Sequence, residues 1–364
     1  MTAQTTGEFN VAVGRSSLAS STTAVANVAV GDAALNSTTG NNNTGVGYAA
    51  LYSNTTGTQN TAIGRDAMED NTTGADNVAV GYSALANNTT AGDNVAVGPA
   101  ALKVNTTGER NVAIGSASMD ASTTGDYNTA VGYGTLSAAS TASNNTGIGK
   151  SSLIACTGGE TNTGVGGSSL LAITTGSGNA AIGHNAGSQA TTAGSCTFLG
   201  RDTQASAATS AGHEIVIGAN AVGKGSSTGF LNPNGGSMYQ GTNGTAWAQT
   251  SDRRIKKNIV DNNKGLEIIN QVKIRNFEYR TVDEIVDFEN PKSAVVEQEG
   301  IQLGTIAQEL EEFLPEVVIT EKTGVKTVDA ENFTWYLINA VQELSAEVEQ
   351  LKSKSHDKCD NNEE

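Results

Sequence analysis

A five-residue unit, an Asn followed by Val or Thr, a small residue, Val or Ile, and Gly, recurs along this chain at a step of 17. It reads NVAVG at 10–14 and 27–31, NTGVG at 43–47, NTAIG at 60–64, NVAVG at 77–81 and 94–98, and NVAIG at 111–115. NTAVG at 128–132, NTGIG at 145–149, NTGVG at 162–166 and NAAIG at 179–183 follow, then the degenerate copies CTFLG at 196–200 and EIVIG at 214–218. A Leu or Met stands four residues after the glycine in ten copies, from Leu18 and Leu35 to Leu153 and Leu170, and NTTG turns lie between copies at 54–57, 71–74 and 105–108. A unit this short cannot enclose a core alone, so each coil must stack on its neighbours. Thr, Asn and Gly disfavour helix, and short β-branched runs between Gly/Asn turns read as strands. In such a strand Val78 and Val80 face one side and Ala79 the other. The small central residue implies a closely approached face. The closing glycine permits a turn with positive φ. An Asn at one fixed point per coil is read as a stacked side-chain ladder rather than as a ligand donor. The NTT triplets also match a glycosylation acceptor, which carries little weight without an export signal.

Composition divides the chain in two. The first 250 residues hold 13 acidic and 7 basic side chains and 39 of the 43 glycines; the last 114 hold 24 acidic and 14 basic side chains. The net charge of −16 disfavours nucleic acid, whose phosphates need clustered Lys and Arg. Cys156, Cys196 and Cys359 form no metal-ligand or disulfide pattern, and a reducing compartment is expected. MTAQTTGEFN lacks the basic and apolar regions of a secretory signal, and no apolar run is long enough to span a membrane. The repeats begin almost at Met1, so an anchor to another protein is expected to lie outside this chain.

The repeat pattern over residues 8–220 resembles the head of trimeric autotransporter adhesins, whose SVAIG-like units form a left-handed parallel β-roll with three chains side by side. The 17-residue unit is longer than theirs, so handedness and cross-section stay open. The resemblance implies a homotrimer, with the alanine-rich face on the trimer axis. At about 4.8 Å per coil, thirteen coils make a rod on the order of 60 Å long. The rod has no cluster of Cys, His, Asp or Glu, and His184 and His213 read as ordinary surface or turn residues. No metal and no cofactor is expected. The stretch 219–250 breaks the period and reads as a short neck of hairpin or interwound strands.

At AWAQTSDRRIKKNIVD, residues 246–261, the chain turns charged. From Ser251 it resembles the C-terminal intramolecular chaperone of endosialidases and other phage tail fibres and spikes, a self-cleaving peptidase domain. SDRRIKKNI at 251–259 matches the opening motif, GTIAQELEEFLPEVV at 304–318 the second, and FTWYLINAVQELSAEVEQL at 333–351 the closing helix. Thr305 stands where the family usually has an aromatic, which bears on local packing. The resemblance implies cleavage between Thr250 and Ser251, with Ser251 as nucleophile and Lys256 as base, and with Asp252 and Arg254 as supporting groups. The chemistry is reasonable. A serine hydroxyl needs a base, and an amine crowded by Arg253, Arg254 and Lys257 can serve once its pKa falls. The plainer alternative for DRRIKK is a solvated cluster at a domain start.

In the closing helix, placed at 331–353, Leu337, Val341, Leu344, Val348 and Leu351 make an a/d seam of two heptads. The seam suits a trimeric clamp; packing on a helix of the same chain is the alternative. Parallel pairing of distant strands is slow and near-identical coils invite slipped register, so a clamp later cut away would align three chains and trap the rod kinetically. The expectation is a mainly β protein: a solenoid shaft over 1–218, a neck over 219–250 and an α+β chaperone auto-peptidase over 251–364. Its expected role is a virion tail fibre or spike, assembled in the host cytoplasm, held by another virion protein and contacting a host surface glycan or protein receptor. A cell-surface adhesin built from the same modules is the second reading. A polysaccharide-degrading spike is the third; it would need a carboxylate pair, and the rod offers only scattered acids such as Asp66, Glu69 and Asp70.

Overall fold

The computed structural model describes residues 6–209, 212–232, 238–240, 248–249, 253–285, 295–296, 298–320, 324–329 and 331–360. The chain forms two compact units, Met1–Ser251 and Asp252–Glu364.

The first unit is a parallel β-solenoid. Each repeat contributes one three-residue strand, from β1 (Val11–Val13) through β5 (Val78–Val80) and β6 (Val95–Val97) to β13 (Ile215–Ile217). Strand order follows chain order, and like positions pair, as in Val78↔Val95, Ala79↔Ala96 and Val80↔Val97. β14 (Gly229–Leu231) adds a further parallel strand, and β15 (Met238–Gln240) and β16 (Ala248–Gln249) continue the sheet antiparallel.

The interior is built from small and medium side chains in columns. The central strand residues, such as Ala79, Ala96 and Ala113, are 0% exposed, as are the Leu/Met column from Leu18 to Leu170 and the alanines just before it. This corrects the expectation that the alanine face lies on a trimer axis. The coil closes so tightly that its own Leu column covers the alanines. It is the flanking Val, Thr and Ile that point outward.

Those core leucines sit at positive φ, 49° at Leu85 and Leu102. A left-handed conformation costs a non-glycine residue roughly 1–2 kcal/mol, and full burial of a leucine offsets it with about 2 kcal/mol. The same Leu therefore turns the chain and fills the coil.

Polar groups inside are paired along the axis. Asn27, Asn43, Asn60 and their successors to Asn179 are buried, and each Oδ1 accepts the backbone N–H of the next, as Asn94 N to Asn77 Oδ1 at 3.0 Å. Each Nδ2 donates across the coil, as Asn94 Nδ2 to Gly108 O at 2.9 Å. A second, shorter ladder links Thr38, Asn54, Asn71, Asn88 and Asn105 through their side chains. A buried amide without a partner is costly, so the ladder column accepts little but Asn. At the far end Glu214 takes the Asn position, and its buried carboxylate accepts N–H groups of Ser206 and Gly225 at 3.0 and 2.8 Å.

The second unit is small and α+β. It holds α1 (Leu266–Ile269), the antiparallel pair β17 (Arg275–Phe277) and β18 (Gln302–Gly304), α2 (Ala307–Glu311), the antiparallel pair β19 (Val318–Thr320) and β20 (Lys326–Val328), and α3 (Glu331–Asp360). Ile268, Leu310, Leu314 and Val317 form its core, flanked by Phe313, Phe333 and Tyr336.

Candidate functional site

The basic segment opens the second unit as a single 3₁₀ turn, Arg253–Ile255, after which Lys256 N donates to Arg253 O at 3.3 Å. Arg253, Arg254, Lys256 and Lys257 are exposed. Four cations within five positions repel one another unless spread into solvent, and a short turn spreads them. Thr250, Ser251 and Asp252 lie outside the described residues. Of the proposed dyad the described geometry therefore includes Lys256 alone, and of the supporting groups Arg254. Among the described residues no three His, Cys, Asp or Glu side chains are placed to hold a metal ion.

The second motif organises the unit's interior. In GTIAQELEEFLPEVV, Ala307, Leu310, Leu314 and Val317 are buried. Glu309 makes a two-point ion pair with Arg275, 2.7 Å at its shorter contact, which ties α2 to β17. The guanidinium holds the Glu309 carboxyl below its ordinary value. Glu316 accepts the Tyr336 hydroxyl at 2.9 Å, joining the motif to α3. Burial, then this carboxylate, raises the Tyr336 phenol.

Thr305 has a structural consequence. Ile269, Val272, Ile274, Thr305, Phe333 and Leu337 line an apolar cleft of about 330 Å³. Thr305 borders that volume, where an aromatic side chain would add apolar bulk.

α3 meets the rest of its unit through its first turns. Phe333, Tyr336 and Ala340 face the core, and the Glu343 carboxylate accepts the N–H groups of Gly265 and Leu266 at 2.8 and 2.9 Å, satisfying the start of α1. A Cβ on Gly265 would lie 2.2 Å from Ala340 N, so this contact needs glycine. The a/d seam starts beside that contact, Leu337 bordering the apolar cleft, and then runs into solvent: Val341, Leu344, Val348 and Leu351 are 44–65% exposed. Through its first turns α3 thus packs on α1 of the same chain, and among the described residues the seam beyond Leu337 is left uncovered. Glu343 and Gly265 escaped the sequence reading because their pairing spans 78 residues; a glycine directly before LEII was the one local signal.

Residues 251–319 match the model of a peptidase family, S74, described as the chaperone of endosialidase. No curated protein and no solved structure matches the chain. The molecule is a parallel β-solenoid whose C-terminal part carries a chaperone-of-endosialidase domain.

Proposed function

We propose that three copies of this chain form a fibre or spike whose solenoids are aligned by the C-terminal domain, which then cuts itself free. One observation carries the reading: each unit leaves an apolar stripe uncovered. On the solenoid the outward strand positions are Val, Thr, Ile, Leu or Ala in every coil, from Val11 and Val13 to Ile215 and Ile217, with no charge among them. Contiguous apolar surface on this scale marks an interface. A copy of the same chain is the occupant whose axial period matches coil for coil. The helix seam is a second such stripe, and three parallel seams form a coiled-coil clamp.

Release follows as acyl transfer. The Ser251 hydroxyl attacks the Thr250 carbonyl carbon, Lys256 accepts the hydroxyl proton, and the C–N bond breaks as that proton passes to the departing Ser251 amine. Water then hydrolyses the ester. Asp252 and Arg254 orient the serine or support the oxyanion. Losing the clamp removes the reverse path, so the rod persists kinetically. The assembled rod serves attachment as a virion tail fibre or spike assembled in the host cytoplasm, held by another virion protein and reaching a surface glycan or protein receptor.

Intact-mass measurement tests the cleavage: wild-type chain should yield a fragment ending at Thr250, and Ser251→Ala a single uncut species. Continued cutting at that bond in the variant refutes the assignment. Light scattering tests assembly, with a monomeric product of either chain ending the trimeric reading.

A further inference from the structure

Beyond the strand and its glycine, each coil turns to a second side whose first position carries Arg15, Asp32, Tyr48, Arg65 and Tyr82 in successive coils. These side chains stack. Arg15 and Asp32 pair at 2.7 Å, and the Arg65 guanidinium lies 5.7 Å from the Tyr48 ring centre and 5.9 Å from that of Tyr82. Such contacts fix rings that would otherwise swing in solvent.

Beside the stack lies a cleft of about 290 Å³, lined among others by Arg15, Asp32, Asn36, Tyr48, Tyr52 and Glu69. Tyr48 and Tyr52 are 54% and 42% exposed. Neither phenol hydroxyl nor the half-buried Glu69 carboxylate has a hydrogen-bond partner among the described residues. Burial, with Asp66 and Asp70 nearby, pushes the Glu69 carboxyl up from its ordinary value. Asn36 is already anchored, its Nδ2 donating to Ser16 O at 3.0 Å. The cleft thus combines one held aromatic ring, Tyr48, and a second beside it, Tyr52, with an unpaired acceptor and two unpaired hydroxyls.

We propose that this cleft binds a neutral glycan, a sugar ring stacking on Tyr48 or Tyr52 while its hydroxyls donate to Glu69 and Asp32. The flat aromatic face suits the C–H face of a pyranose, and a carboxylate can accept from two adjacent hydroxyls. The volume holds roughly one or two rings. With Arg15 already matched by Asp32, the Glu69 charge is unbalanced, which disfavours sialic acids, uronic acids and sulfated sugars. One shallow site binds weakly, on the order of 1 mM; three copies on one rod raise the apparent affinity through effective concentration. The proposal rests on the attachment reading for its biological use, not for its chemistry.

The test is saturation-transfer NMR on the full chain with lactose, maltose, cellobiose and diacetylchitobiose, and with sialyllactose as the anionic arm. At least one neutral disaccharide should receive saturation with Kd on the order of 1 mM, and Tyr48→Ala, Tyr52→Ala and Glu69→Gln should each weaken it about tenfold or more. The melting temperature and assembled mass of these variants should match the wild type. No transfer to any neutral sugar, transfer unchanged in all three variants, or transfer to sialyllactose alone overturns the proposal. Binding of labelled chain to a panel of intact bacteria separates the two readings. Cell binding unaltered by Tyr48→Ala retires the cleft and keeps attachment; disaccharide binding without cell binding does the reverse.

Discussion

The glycine that closes each strand offers the sharpest test of how the coils stack. Gly98 has φ +130°, and a Cβ built there would lie 2.6 Å from the carbonyl carbon of Gly115 and 2.7 Å from its oxygen. Both obstacles are backbone, and both belong to the next coil, so neither can rotate away. Strain at such a φ is roughly 1–3 kcal/mol, and forcing the coils apart by a few tenths of an ångström adds roughly 1–3 kcal/mol. Gly98→Ala is therefore expected to destabilise by about 2–6 kcal/mol. Gly74→Ala is the control. Its added Cβ would also crowd the Ala91 carbonyl at 2.3 Å and the ladder amides Asn71 Oδ1 and Asn88 Nδ2 at 2.5 and 2.9 Å, but no positive φ is required there, and the same column already holds buried alanine at 24, 91, 142 and 193, Ala91 beside Asn88 itself. Thermal unfolding of the full chain should separate them, since 1 kcal/mol shifts the midpoint by about 2–4 °C in a unit of this size. Hydrogen exchange should place the weakness of Gly98→Ala in the coils on either side. Equal melting of the two variants would refute the argument that φ and close approach act together in this column.

Asn94→Ala strands one buried group, the Asn111 N–H that its Oδ1 accepts at 2.9 Å, while the Gly108 carbonyl that its Nδ2 reaches keeps the Asn105 Nδ2 donor at 2.9 Å; a loss of about 1–3 kcal/mol in urea unfolding is expected. Thr305→Phe should fill the apolar cleft of the second unit and raise its midpoint by a few degrees in calorimetry, at roughly 1 kcal/mol for the added buried carbons. Burial pushes the Cys156 thiol up to about 11 from an ordinary 9.0, so iodoacetamide at pH 8 should label it only when the coil opens, at a rate that tracks denaturant. Because the folded value is the higher one, the stability it contributes is full below pH 9 and declines as pH rises toward about 11.

Much of the solenoid was legible because its physics is one-dimensional. A fixed step, a small residue at the strand centre and an Asn before it each translate into a column, and a column either stacks or fails. What stayed hidden was which side of the strand faces in. Alternation places Ala79 opposite Val78 and Val80, but the inner side is decided by the Leu four residues past the glycine, which turns inward only because it adopts positive φ. No propensity assigns that conformation to leucine. In the second unit the apolar skeleton of α2 could be read from its motif. The Glu309–Arg275 and Glu343–Gly265 ties span 34 and 78 residues and have no local signature. The serine end of the proposed dyad lies outside the described residues.

The two ladders explain why a rod like this benefits from a separate aligning domain. Within one chain register is well specified. The second ladder stops at Asn105, whose Oδ1 is left without a partner beside the equally unpartnered Ser122 hydroxyl, and Ala139, Cys156 and Ile173 continue that column as apolar core. The coils before and after Asn105 are thus internally distinguishable. All of that information is buried, however. The outward stripe repeats Val, Thr and Ile from coil to coil, so a second copy displaced by one coil, about 5 Å, meets nearly the same surface and forgoes only one contact layer of thirteen. The energy gap between aligned and slipped copies is then small compared with the whole interface, and slipping back means breaking every layer at once. Alignment must come from outside the periodic region and before the stripes close. The C-terminal unit, with its own aperiodic core and its uncovered helix seam, is the part of the chain that meets both conditions.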